Sequence, residues 1–199
     1  EIKQSQAGFV LDYIKDVAAS MISDRFNEIT QKPNSPFLGA YAFDGPYFVA
    51  KTKDAWTVAS ASADDKIEDA LAAMIRETER MKRFGFTVSE YERARENTIK
   101  NHENAYNNRD KQQNSVYSQQ YVNSFTNNEP FPGIEYEYEM IKMIAPNIPL
   151  EVINQTVAQM IQDQNMVISI SGPEKEGLVY PTEEEILAVV ARTKAEELE

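Results

Sequence analysis

Two prolines three residues apart, Pro33 and Pro36, separate a helical pattern from a pattern typical of β-strands. Proline lacks the amide hydrogen and clashes with the preceding helical turn, so two prolines at this spacing cannot both lie inside a helix. Before them, over residues 4–31, apolar side chains recur at steps of three and four. This spacing predicts one long helix with a buried face.

Three short runs follow the prolines, at residues 37–43, 47–53 and 56–62, and they are rich in Val, Thr and aromatic residues. Asp44-Gly45-Pro46 and Lys53-Asp54 stand between the runs and have the composition of turns. Together these features predict an antiparallel meander of three strands.

The sequence after the meander is mainly helical in pattern. Thr87 and Glu90 have the spacing of a capping box, as do Thr182 and Glu185, and this motif marks a helix start. Gly85 is a natural helix end. The predicted helices span 64–85, 87–106, 110–125, 134–144, 150–161 and 182–197.

A compact apolar run at residues 166–171, ended by Gly172 and Pro173, predicts a buried fourth strand that joins the meander. The order of elements then predicts an α+β fold with helices packed on one face of a mainly antiparallel sheet. No internal repeat or low-complexity linker interrupts it, so we expect residues 1–199 to form a single domain.

The charge and residue usage exclude several classes of function. The 199 residues carry 32 acidic and 20 basic side chains, a formal net charge of -12, which repels nucleic acids and anionic membranes. No run reaches the roughly 20 apolar residues of a membrane span. The absence of cysteine excludes disulfides, thiolate nucleophiles and cysteine-ligated zinc. The 7 glycines form no phosphate-binding loop.

A single histidine, His102, limits metal and acid-base chemistry. The segment His102-Glu103-Asn104-Ala105-Tyr106 departs from the helical zinc motif His-Glu-x-x-His, because a tyrosine occupies the second ligand position. His102 also falls on the same helical stripe as Tyr91, which favours a packed or hydrogen-bonded side chain. We therefore predict no metal site and no catalytic triad in this chain.

Three acidic clusters, at residues 64–65, 135–139 and 183–185, are candidates for calcium binding or for an acid-base pair. None has the spacing of a calcium loop. Two of them lie at predicted helix N-termini, where the helix dipole favours acidic residues without any function. The better interpretation is that they are solvated helix faces.

The sequence also has a succession of short segments in a recognisable order. Arg25-Phe26 near a helix end is followed by Pro36-Phe37 before a strand; then come Glu79-Arg80, Gly85-Phe86-Thr87, the residues 90–95, and Ile170-Ser171-Gly172-Pro173. In this order they resemble the non-catalytic, C-terminal-type domain of the pitrilysin/insulinase family of zinc metallopeptidases. The resemblance covers nearly the whole chain.

The resemblance implies a function within a larger enzyme. In that family a domain with the inverted motif His-x-x-Glu-His is followed by a similar domain without it, and paired halves enclose a chamber that admits unfolded peptides. This sequence lacks His-x-x-Glu-His, so the zinc and the catalytic residues are expected elsewhere in the parent polypeptide. The expected partners are the other domains of that polypeptide and the peptide substrate, which this domain would help to position as part of the chamber wall.

Arg25 and Tyr41 are the candidates for substrate contact. Some members of the family hold the peptide with an Arg and a Tyr of a late domain, and by position these two residues match them. The alternative for Arg25 is a structural role near a helix C-terminus, where a cation interacts well with the dipole. No catalytic residue is assigned in this chain.

Two other interpretations remain open. One is a structural scaffold subunit, as in non-peptidase relatives of the family; the other is a free-standing acidic interaction module. Because the sequence has no initiator methionine and ends in a charged helical pattern, we expect a fragment of a longer protein. The resemblance is compatible with the periplasm or cell envelope of a bacterium, but the sequence does not define the compartment.

Overall fold

The computed structural model describes residues 5–47, 49–127 and 130–199. Within them, seven α-helices and two β-strands confirm the α+β class. The elements are α1 (Gln6–Thr30), β1 (Gly39–Tyr47), β2 (Ala50–Ala61), α2 (Ile67–Phe84), α3 (Val88–Asn107), α4 (Asn114–Asn127), α5 (Ile134–Ile144), α6 (Leu150–Met160) and α7 (Glu183–Lys194). Short 3-10 turns follow α3 at Arg109–Lys111 and α5 at Ala145–Asn147. In the described part of the chain no helix is long and apolar enough to cross a membrane.

β1 and β2 form one antiparallel hairpin, so the predicted three-strand meander is wrong. The second and third predicted strands are a single strand, β2, and Asp44, Gly45 and Pro46 lie inside β1 rather than in a turn. Asp54 pairs with Pro46 of β1, so Lys53-Asp54 lies inside β2 in spite of its local turn preference. The missing amide of Pro46 is tolerated because it sits in an edge strand next to a register irregularity between Pro46 and Tyr47.

Residues 166–171 do not form the predicted fourth strand and pair with neither β1 nor β2. Their apolar pattern does reflect partial burial, because Ile168 packs against a cluster of α2 and α7 residues. An apolar run specifies that a segment is covered, but it does not supply the backbone partner that a strand needs.

Within the second unit, one face of the hairpin is buried and the other is exposed, as predicted for helices packed on one side of the sheet. Alternate residues of β1, Ala40 and Ala42, are buried, while Tyr41 and Phe43 between them are exposed. α1 reaches the edge of β1 directly, because the Ser23 hydroxyl accepts a hydrogen bond of 3.0 Å from the Ala42 amide. α2 also contacts β2.

Contacts divide the chain into two compact units. The first consists of residues 87–153 with the described part of residues 1–17, and the second consists of residues 18–86 and 154–199. Helices α1 and α6 each contribute to both units. That residues 1–199 are a single domain stays a prediction.

The first unit is built around a buried pair of phenols. The Tyr91 hydroxyl donates to the Ile148 carbonyl at 2.7 Å and lies 3.4 Å from the Tyr13 hydroxyl. Burial raises the pKa of Tyr13, so its phenol stays protonated and remains available as a hydrogen-bond donor. α3 packs on α5, whose Met140, Ile141 and Ile144 are buried.

The second unit has a core of large apolar side chains from α1, α2 and the segment before β1. Phe26, Met21, Ile22 and Met81 are almost fully buried, and Phe26 meets Phe37 edge to face with ring centroids 5.9 Å apart. α2 packs along α7, and Leu71, Ala72 and Val189 form a buried cluster there.

Both predicted capping boxes are present at helix starts. Thr87 caps α3 with Glu90, and Thr182 caps α7 with Glu185. Between α2 and α3 the chain turns at Gly85, whose φ of 71° is in the left-handed region that favours glycine. The Asn154 side chain holds the next residue, accepting from the Phe86 amide at 2.8 Å and donating to the Phe86 carbonyl at 3.2 Å.

Candidate functional site

The open face of the β1–β2 hairpin carries a pair of exposed aromatic side chains. Tyr41 is 57% exposed and Phe43 42% exposed, and their rings stack with centroids 6.0 Å apart and an interplanar angle of 21°. Opposite them on β2 stand Ala59 and Thr57, whose small side chains leave the rings uncovered. An exposed aromatic surface of this kind can bind apolar side chains of another chain, and such binding depends little on the charge of that chain.

The edges of the hairpin differ in the backbone groups that they offer. The Ala42 amide of β1 donates to Ser23, so α1 already occupies this position. Val58 is the partner of Ala42 in the register. In an antiparallel pair, two opposed residues either both point their amides toward the other strand or both point them away from it. Because the Ala42 amide points away from β2 to Ser23, the Val58 amide points away from β1. The outer edge of β2 is therefore where a further strand would add.

Arg25 lies at the corner between α2 and α3. Its Nη2 atom donates to the Gly85 carbonyl at 3.0 Å, and its guanidinium carbon lies 4.8 Å from the centroid of the Phe86 ring. These contacts support the structural alternative, although it is the α2–α3 corner that Arg25 holds rather than the end of its own helix. Tyr41 instead contacts Phe43 on β1. A role for Arg25 or Tyr41 in substrate binding stays a prediction.

His102 and its neighbours do not fit a zinc site. The Nδ1 atom of His102 lies 2.9 Å from the Thr98 carbonyl, one turn earlier in α3. This ring nitrogen is therefore hydrogen-bonded within its own helix. Tyr106 is stacked on Tyr138 at 5.2 Å, with the Arg109 guanidinium 4.3 Å from its ring centroid. The two positions of the motif are thus used in separate contacts, and no step of zinc chemistry is assigned to this chain.

The structure brings two of the three acidic clusters together. Asp64 and Asp65 share with Glu185 a cleft of about 420 Å³ in the second unit. Lys175 contacts Asp64 at 2.6 Å, and hydrogen bonds from the Thr182 backbone amide and hydroxyl lower the pKa of Glu185. These carboxylates are engaged in a surface ion pair and a helix cap, as expected of a solvated helix face.

The third acidic cluster, at residues 135–139, lies in the first turns of α5. Glu135 pairs with Arg109 at 3.2 Å, and Glu139 with Lys142 at 2.6 Å. Within the described residues no group of three or more His, Asp or Glu side chains is arranged to hold a metal ion. That this chain binds no zinc stays a prediction.

Sequence reasoning missed three residues that shape the hairpin and the α2–α3 corner: Phe43, Ser23 and Asn154. Phe43 was detectable, since it stands two positions after Tyr41 and strand alternation puts both on one face. Ser23 and Asn154 gave no signal, because a single polar residue in a helix does not reveal which distant backbone group it will bind.

The fold is that of part of an insulinase-type protease. Over 98% of this chain it matches the crystal structure of the first half of the periplasmic protease PqqL from Escherichia coli, with a TM-score of 0.79, 18% identity and 42% of that chain covered. It matches the crystal structure of PqqL itself with the same score and identity, covering 22% of that protein.

A predicted insulinase family protease from Yersinia pestis matches 96% of this chain with a TM-score of 0.73 and 10% identity, covering 41% of that chain. The chain therefore spans less than half the length of each of these proteins. No protein-family model matches this chain, and neither does any curated protein sequence. The structural matches confirm the pitrilysin/insulinase-like half-domain fold that the sequence resembles.

Proposed function

We propose that this chain is a non-catalytic domain of a zinc metallopeptidase, that it forms part of the wall of the peptide chamber, and that it helps to position the substrate. The observation that carries the proposal is the likeness, over 98% of this chain, to part of the first half of a periplasmic protease. Since His102 and Tyr106 do not fit a zinc site, the metal and the catalytic groups belong to another domain of the parent polypeptide. We also propose that the parent protein is located in the periplasm or the cell envelope.

The β1–β2 hairpin is the element that we assign to substrate contact. A strand edge binds an extended peptide through backbone hydrogen bonds and makes little demand on its sequence, which suits a peptidase of broad specificity. The exposed rings of Tyr41 and Phe43 add an apolar surface beside that edge. The acidic clusters, in contrast, would favour basic peptides, and such binding would weaken as salt is added.

The test is peptide affinity measured on the parent protein after its catalytic residues have been silenced. Val58→Pro removes an outward amide of β2 and should weaken binding about tenfold, the effect of one or two lost hydrogen bonds. Val58→Ala is the matched control, because it removes side-chain contact but keeps the amide, and its affinity should stay close to that of the wild type.

Neutralising residues 183–185 with glutamine should leave the affinity unchanged. If those three changes weaken binding and salt does the same while Val58→Pro has no effect, the contact belongs to the charged helices instead. If none of the variants changes affinity and the parent cleaves no peptide, the scaffold interpretation replaces this proposal.

A further inference from the structure

The open face of the β1–β2 hairpin is free of charged side chains. Strand alternation puts Gly39, Tyr41, Phe43 and Gly45 of β1 on this face. The register sets a small residue of β2 opposite each of them, in three cases alanine and in one case Thr57. The solvent side of an antiparallel sheet normally carries polar residues, and 26% of this chain is charged. An uncharged face with two exposed rings is therefore a candidate binding surface for apolar groups.

The two stacked rings, Tyr41 and Phe43, form a ridge on this face. Glycines stand on both sides of the ridge along β1: apart from chain neighbours, no described atom lies within 4 Å of the Cβ position of Gly39, and that of Gly45 meets only the Phe43 ring, at 3.8 Å. Beside the ridge, Ala59 and Thr57 of β2 form a low shelf between the rings and the outer edge of β2. The rings are therefore open to a side chain that lies over the shelf.

A peptide strand added at the outer edge of β2 places every second side chain over this shelf. Neighbouring strands lie about 4.8 Å apart, so the peptide backbone runs about 10 Å from β1. A side chain as small as alanine ends over the shelf, whereas phenylalanine, tyrosine, leucine or methionine is long enough to meet the rings, at the roughly 4.5–7 Å that aromatic pairs adopt. Because Tyr41 and Phe43 are two residues apart, two large side chains two residues apart on the peptide each meet one ring.

We propose that the ridge selects substrate segments that carry large apolar side chains at two positions two residues apart. This inference rests on the proposed function, because it takes the hairpin as a substrate contact. The backbone of β2 pairs with any sequence, so the ridge adds a preference to binding that is otherwise broad. Apolar residues with a period of two are the pattern of a half-buried β-strand. The substrate class is therefore unfolded polypeptide that contains strand-forming segments.

The test is the affinity of the catalytically silent parent for two peptides of identical composition. Both are chains of about eleven residues, made of serine and threonine with two phenylalanines. In the alternate peptide one residue separates the phenylalanines, and in the adjacent peptide none does, so that an extended chain turns the pair to one side in the first case and to opposite sides in the second. The alternate peptide should bind about three- to tenfold more tightly, the gain from one additional aromatic contact. Equal affinities would overturn the proposal.

Two variants of the more exposed ring show whether the ridge causes this preference. Tyr41→Ala leaves one ring, so each peptide makes one aromatic contact and the difference between their affinities should disappear. Tyr41→Phe is the matched control, because it keeps the ring and should keep the difference. The melting temperature of each variant confirms that it is folded. A preference for the alternate peptide that persists in Tyr41→Ala would overturn the proposal.

Val58→Pro separates a failure of this inference from a failure of the proposed function. If Val58→Pro weakens the binding of both peptides while the wild type binds the two equally, the hairpin edge contacts substrate and only the preference is wrong. If Val58→Pro changes neither affinity and the wild type binds the two peptides equally, both proposals fail. Equal binding together with self-association that Tyr41→Ala abolishes would overturn the inference and assign the ridge to contact with a second copy.

Discussion

At the scale of single residues, both the backbone conformation and the surroundings of Gly85 favour glycine. A Cβ atom there would lie 2.4 Å from the Asn154 side chain, and its φ of 71° strains any other residue. Gly85→Ala should therefore lower the free energy of unfolding by about 2 kcal/mol. Urea denaturation measures this, with Gly39→Ala as the control, because no described atom lies within 4 Å of its Cβ position. Equal effects of the two changes would contradict the argument.

Arg25 and Tyr41 should separate into a structural and a surface residue. Arg25→Gln removes the hydrogen bond to Gly85 and the contact with Phe86, so we expect a loss of about 1–2 kcal/mol of stability. Tyr41→Ala should change stability by less than about 1 kcal/mol, because the ring is 57% exposed.

The affinity of the catalytically silent parent for peptide distinguishes their roles further. It should fall for Tyr41→Ala and stay near the wild-type value for Arg25→Gln once both proteins are folded. A loss of affinity for Arg25→Gln without any loss of stability would place Arg25 in the substrate site instead.

At the scale of elements, basic side chains of α2 bind the C-terminal end of α7. Arg76 donates to both carboxylate oxygens of Glu196, at 2.6 and 2.8 Å, and Arg83 donates to the carbonyls of Lys194 and Glu196. The hydrogen bond from Arg76 lowers the pKa of Glu196. Hydrogen bonds from Arg76 and Arg83 therefore hold the C-terminal end of α7 on α2, in addition to the apolar cluster of Leu71, Ala72 and Val189.

This contact should make stability depend on pH. A lowered pKa in the folded state means that the ionised Glu196 stabilises the fold above its unfolded pKa, and that this contribution is lost as pH falls through the folded pKa. Between pH 6 and 3, Glu196→Gln should lose less stability than the wild type. The difference should be below about 1 kcal/mol, because both side chains are about one-third exposed. Unfolding at each pH measures it, and Glu197→Gln, a neighbouring exposed carboxylate, should behave like the wild type.

Helix positions were largely predictable from the sequence, and strand pairing was not. The capping boxes at Thr87 and Thr182 and the apolar spacing of residues 134–144 are local signals, and the helices begin where those signals lie. Strand boundaries depend on a partner strand: Lys53-Asp54 has turn chemistry but remains in β2, where Asp54 pairs with Pro46 of β1.

At the scale of the whole molecule, the order of the predicted elements and the resemblance to a peptidase family predicted the fold class. They predicted the candidate site only in part. Tyr41 was identified by its position in a resembling family, whereas the Ser23 contact that occupies the amide of Ala42 required the three-dimensional structure. The role of Arg25 depended on a contact with a residue 60 positions away, which no periodicity encodes.

The metal content of the molecule provides a further test. Residues 1–199 should bind no stoichiometric zinc, because His102 is engaged with Thr98 and the chain has no second histidine. Metal analysis of the purified chain measures this, and the full-length parent should contain zinc if the proposed function is right. One tightly held zinc per chain, lost in His102→Ala, would refute the prediction.

The corner at Gly85 also has an evolutionary consequence. Because the Asn154 side chain occupies the space that a Cβ at position 85 would need, the two positions cannot vary independently. Among related sequences, a larger residue at 85 should appear only together with a smaller one at 154. A correlated pair this far apart in sequence would be a useful marker for aligning distant relatives whose overall identity is too low to align on its own.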